Sequence, residues 1–213
     1  MRRTLPLALG VAAIALAAQS ASAQTSQRFS VQGSGLFAGL FGSAFDDFKD
    51  GVGGELQLRY TPGVWSLGVG VQYTVHNTTA GAEGVIDKVK LLGFFFEPRY
   101  VIDAGSAKFA PYVSARLAMS SMHLDLSPDL AEPGITLTVQ RPTGPTINGG
   151  GGILFKLNSR VNLDVGATYG YTKFNKITIT ATNDAGQSES EKFDVGHGTN
   201  IVARIGFAIG IGG

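Results

Sequence analysis

The chain has 213 residues, with 17 Lys and Arg against 16 Asp and Glu, and no cysteine. Near-neutral charge provides no basic field for nucleic acid, and the missing thiols exclude disulfides, thiolate catalysis and Cys-ligated metals. Its 30 glycines, about twice the usual share of ~7%, sit inside apolar segments rather than in a linker.

In chain order the first feature is at the N-terminus. Arg2 and Arg3 precede an apolar run from Leu5 to Ala18, and the small residues Ala21-Ser22-Ala23 follow. This pattern predicts a secretory signal peptide over residues 1–23, cleaved before Gln24. A membrane anchor needs about 20 apolar residues, whereas this run ends early at Gln19 and Ser20. Residues 24–213 are then expected to form one exported domain. Removing two of the 17 basic residues leaves 15 against 16 acidic ones, a near-neutral mature chain.

Period-2 alternation predicts eight strands after the signal segment, and no later run reaches the 18 apolar residues of a membrane helix. In the first, Phe29, Val31, Phe37 and Phe41 oppose Ser30, Gln32 and Ser34. In the second, Leu56, Leu58 and Tyr60 oppose Glu55, Gln57 and Arg59. The third, residues 65–76, places Trp65, Leu67, Val69, Val71, Tyr73 and Val75 opposite Ser66, Gly68, Gly70, Gln72, Thr74 and His76. The fourth sets Leu92, Phe94, Phe96, Pro98, Tyr100 and Ile102 against Gly93, Phe95, Glu97, Arg99 and Val101. Next come Phe109, Pro111, Val113, Ala115 and Leu117 against Ala110, Tyr112, Ser114 and Arg116, then Ile153, Phe155 and Leu157 against Gly152, Leu154 and Lys156. The last two carry Val161, Leu163, Val165, Ala167, Tyr169 and Tyr171 opposite Asn162, Asp164, Gly166, Thr168 and Thr172, and Ile201 to Ile211 opposite Val202 to Gly210. Lengths of about 9 to 13 residues suffice for a tilted strand to cross a bilayer.

Connections alternate in length. Residues 61–64, 103–106 and 158–160 are tight turns, whereas 42–50, 77–87, 121–145 and 175–198 are longer and polar. Facing residues in a hairpin share a face, so the turn at 158–160 pairs Leu157 with Val161 and Phe155 with Leu163, and the turn at 61–64 is expected to pair Tyr60 with Trp65 and Leu58 with Leu67. The second face is mostly Gly, Ser, Thr, Ala and Gln, too sparsely charged for a water-exposed exterior. Apolar residues outward against lipid and small or polar residues inward give an all-β, eight-stranded, antiparallel up-and-down transmembrane barrel. Trp65, Tyr60 and Tyr100 beside the short turns would be interfacial aromatics.

Residues 27–211 resemble the small bacterial outer-membrane β-barrel family of OmpA-like transmembrane domains and OmpX-type proteins. The most family-like pieces are Phe96-Glu97-Pro98-Arg99-Tyr100, Ala110-Pro111-Tyr112-Val113 and Gly149-Gly150-Gly151-Gly152-Ile153. The resemblance implies an outer-membrane location and contact with outer-membrane lipid and lipopolysaccharide. It also implies insertion by the barrel-assembly machinery. Surface protein partners are expected through the loops, and no cofactor is expected. One departure is at the C-terminus, where Gly210-Ile211-Gly212-Gly213 stands in place of the family's usual terminal aromatic.

Three acids and five bases fall on the inner face: Glu55, Glu97 and Asp164 with Arg59, Arg99, Arg116, Lys156 and Arg204. Unpaired charge in a low-dielectric interior is costly, so these eight are expected to form a paired lumen network. The same residues could instead line a small pore. His76, His123 and His197 fall at the long-loop rim; Ser120, Ser121 and Asp125 accompany His123, yet a lipid A deacylase would place serine and histidine in another order. No catalytic and no metal site is expected, since the histidine spacing shows no ligand motif. Gly149 to Gly152 lacks the Lys-Ser/Thr ending of a phosphate loop. Twelve acids lie in the long loops: Asp46, Asp47, Asp50, Glu83, Asp87, Asp125, Asp129, Glu132, Asp184, Glu189, Glu191 and Asp194. Two loops contain alternating pieces, Ile135 to Val139 and Ile177 to Ala181, expected as exposed hairpins whose edges could pair with partner proteins.

Overall fold

The computed structural model describes residues 27–79, 86–126 and 135–212. The signal peptide, its cleavage site and the loop acids Glu83, Asp129 and Glu132 lie outside the described residues. The strands are β1 (Phe29–Phe41), β2 (Phe48–Tyr60), β3 (Trp65–Thr78), β4 (Ile86–Val101), β5 (Phe109–Leu126), β6 (Ile135–Val139), β7 (Thr143–Lys156), β8 (Val161–Lys173), β9 (Ile177–Asn183), β10 (Ser188–Phe193) and β11 (His197–Ile211). Eight of them close into one antiparallel barrel in the order β1, β2, β3, β4, β5, β7, β8, β11, with β11 returning to β1. Closure pairs every strand on both sides, which hydrocarbon demands because no water can satisfy a free edge.

Burial is inverted relative to a water-soluble protein. Phe37, Val52, Leu58, Val69, Phe94, Leu117, Tyr169 and Ile205 are exposed on the outside, while Glu55, Arg59, Glu97, Arg99, Arg116, Asp164 and Arg204 are buried within. Along β11 the two classes alternate residue by residue. At the short-turn end, Trp65 faces Tyr100 in register with ring centroids 5.3 Å apart, and Phe29 lies 4.9 Å from Tyr60.

The structure corrects the sequence reading in three places. The wall strands run for 13 to 18 residues rather than about 9 to 13, so Asp50 belongs to β2, while Asp87 and Asp125 fall in β4 and β5. The β2–β3 register differs by two residues from the expected one: Tyr60 faces Leu67 and Leu58 faces Val69. Val64 folds inward and is buried, and its carbonyl accepts from Val101 N–H at 2.8 Å, so the connection consumes two more residues than a closed hairpin. A shift of two keeps every side chain on its face. The third correction concerns the loop strands. β9 and β10 form the expected hairpin within their own loop, but β6 pairs across with β9 from the other loop, making a three-stranded sheet apart from the barrel.

Candidate functional site: the charged lumen

Each wall strand sends alternate side chains inward, and the tight interior of eight strands forces those side chains together. Glycines on the facing strands supply the needed room. A Cβ at Gly68 would stand 2.6 Å from Arg59 Nη1, and one at either Gly152 or Gly166 would collide with the Tyr112 hydroxyl.

Glu97 on β4 is the hub. Its Oε1 accepts from Arg99 Nε at 2.5 Å and from Arg59 Nη1 at 3.5 Å. Its Oε2 accepts from Arg116 Nε at 2.6 Å and from Arg204 Nη1 at 2.8 Å. Asp164 on β8 accepts from Arg99 Nη1 at 2.8 Å, Gln32 Nε2 at 2.6 Å and the Tyr112 hydroxyl at 2.7 Å. Glu55 on β2 accepts from Arg116 Nη2 at 2.8 Å and Gln57 Nε2 at 3.0 Å. Arg116 also donates to Gln72 Oε1 at 2.7 Å and lies 3.9 Å from the centroid of Phe95, whose face attracts the cation. The wall strands β2, β4, β5, β8 and β11 thus each contribute a charged group to one cluster.

Seven of the eight charged residues singled out from sequence converge in this way. Lys156 is the eighth, half-exposed at the last position of β7, where its register partner on β8 is Asn162. Gln32, Gln57, Gln72 and Tyr112 were not among those candidates, although they share the same alternation; being uncharged, they carried no signal beyond their parity. Sequence reading also understated the apolar interior. Leu36, Ala38 and Val202 pack together, and at the long-loop end Leu40, Ala44, Phe45, Val89, Met122 and Phe174 form a cap inside the mouth. Phe45 meets Phe174 edge-on at 5.9 Å, held by a turn in which Gly42 adopts φ +97° and Ala44 N–H donates to His197 O at 3.2 Å.

The histidines stay apart. His76 points inward between Thr74 Oγ1 and Lys49 O, each 3.0 Å away, whereas His197 stacks against Tyr171. Ser120 and His123 are three residues apart on β5, hence on opposite faces, and the Ser120 hydroxyl shares a 2.9 Å hydrogen bond with Thr146. Among the described residues no three His, Asp or Glu side chains converge as a metal-binding group.

A family model described as outer membrane protein beta-barrel domain matches residues 9–207. Among solved structures the chain is similar to Neisserial surface protein A (NspA), with TM-score 0.60 and 19% identity over 86% of this chain and 97% of that one. It is also similar to OprG from Pseudomonas aeruginosa, with TM-score 0.56 and 14% identity over 88% and 97%. A major outer membrane protein from Thermus thermophilus gives TM-score 0.54 and 16% identity over 84% and 98%. These likenesses concern the fold alone, and no curated protein matches the chain. Since the family model spans nearly the whole barrel, the chain belongs to the outer membrane protein β-barrel domain family.

Proposed function

We propose that this protein is a plugged outer-membrane barrel with a structural and surface-interaction role, its lumen closed by side chains and its activity carried above the membrane. The observation that carries this reading is the cluster around Glu97, whose ion pairs join strands on all sides of the lumen. Two small cavities of about 30 Å³ lie apart from each other, one lined by Arg59 and Arg99 and the other by Thr146, Thr172 and Phe45. The exposed apolar wall supports contact with outer-membrane lipid and lipopolysaccharide, and insertion by the barrel-assembly machinery.

The three-stranded sheet supports the interaction role. β10 is an edge strand with all six side chains exposed. A two-fold axis pairing β10 with its own copy would set Glu189 or Glu191 against a glutamate in each central register, which repels. The edge therefore suits an extended segment of another protein with basic residues at alternate positions.

The second reading is a narrow conduit for small solutes or small apolar molecules, favoured by Phe95 and Leu154 on the inner face. Planar-bilayer recordings distinguish the two. No discrete conductance steps are expected from purified protein; steps that vanish when Arg116 is neutralised would sink the plug. Lipid A mass spectra are expected to be unchanged on deletion of the protein, which tests the remaining possibility of a lipid-modifying enzyme.

A further inference from the structure

We propose that the lumen holds one small inorganic anion of halide size, in the cavity between Arg59 and Arg99 at the short-turn side of the ionic cluster. Among the described residues the buried interior contains four arginines against three carboxylates, an excess of one positive charge. Arginine does not shed its proton in proteins, and an uncompensated charge in such an interior is costly. The excess is therefore met by a counter-ion.

The hydrogen bonds locate it. Arg99, Arg116 and Arg204 each meet at least two carboxylates, whereas among the described residues Arg59 reaches only Glu97, at 3.5 Å. The other acceptors of Arg59 are neutral: Gln57 Oε1 at 2.6 Å, Ser66 Oγ at 3.0 Å and the carbonyls of Ser66 and Glu97. Arg99 spends Nε and Nη1 on Glu97 and Asp164, and its Nη2 is buried with no hydrogen-bond partner. Both arginines line the same cavity, together with Ser30, Ser66, Thr61 and Asn162 as further donors, and no carboxylate lines it. At about 30 Å³ the cavity has room for one or two atoms of water size, enough for a monoatomic anion and too little for a phosphate or an organic acid. This site does not depend on whether the lumen conducts.

Bromide is the probe. Crystals of the detergent-folded protein grown in sodium bromide are expected to show an anomalous-scattering peak between the Arg59 and Arg99 guanidinium groups. At constant ionic strength the unfolding midpoint is expected to rise saturably as gluconate, too large for the cavity, is replaced by bromide. Asn162→Asp puts a carboxylate into the cavity wall, and Arg59→Gln removes the excess charge; each is expected to abolish both the peak and the halide response. A cavity occupied by water without an anomalous peak overturns the assignment, as does a halide response that persists unchanged in whichever of the two variants folds.

Discussion

The barrel wall and the small sheet above it obey one alternation rule and reach opposite results. In the wall, outward positions such as Val69, Phe94 and Ile205 are apolar and exposed, and inward positions such as Glu97 and Arg99 are charged and buried. In the sheet, Thr180 meets Ser190 and Thr182 meets Ser188 through hydroxyl contacts of 2.8 and 2.9 Å, and β10 keeps an open edge. Lipid accounts for the difference. A wall in hydrocarbon must close and satisfy its charges internally, whereas a sheet in water can leave edges and polar faces to solvent.

The comparison is broken most forcefully at the hub. Glu97→Gln removes the anion that four guanidinium groups share, so the barrel is expected to lose about 3–5 kcal/mol, read as a lowered urea midpoint in refolding from detergent. Glu191→Gln in β10 is expected to shift the same midpoint by no more than about 0.5 kcal/mol. A second contrast concerns the solvent. Val69→Arg on the outer wall should cost about 2–4 kcal/mol; Ile179→Arg in the upper sheet should cost far less by the same measurement, and equal losses would contradict the lipid assignment of the wall.

Packing separates the regions at a smaller scale. At Gly166 an added methyl meets the Tyr112 hydroxyl and stands 3.0 Å from Gly151 O, so Gly166→Ala is expected to cost about 1–3 kcal/mol. A double-mutant cycle with Tyr112→Phe should show a smaller penalty for the alanine once the hydroxyl is gone. The smallest effect is expected at Thr180→Ala, which removes one cross-strand hydroxyl pair worth about 0.2–1 kcal/mol. Hydrogen exchange should detect it as faster opening of β9 and β10 with barrel amides unchanged.

Most of the barrel was legible because alternation is local. Trp65 to His76 alone specifies two faces, and the turn at 158–160 sets Phe155 opposite Leu163 as found. The turn at 61–64 misled because its register depends on Val64 tucking under the barrel and accepting from Val101 N–H, a contact between the turn and the end of β4. Within the lumen, charge marked the face but not the partners. Lys156 has the parity of the cluster yet sits at its rim, while Gln32 and Tyr112, without charge, complete the shell of Asp164. The strand character of Ile177 to Ala181 could be read from its pattern; its pairing with β6 from another loop could not.

By itself the sequence determined the strand count of the wall, the face each side chain takes and the sign of the charge stored inside, because a period of two residues is written along the chain and lipid permits only one closed solution. Tertiary structure alone decided which arginine meets which carboxylate, that Phe45 and Phe174 cap the mouth, and that Arg59 and Arg99 share a cavity without a carboxylate. Those contacts depend on how far each strand is sheared past the next, a quantity that arises only when β11 closes on β1.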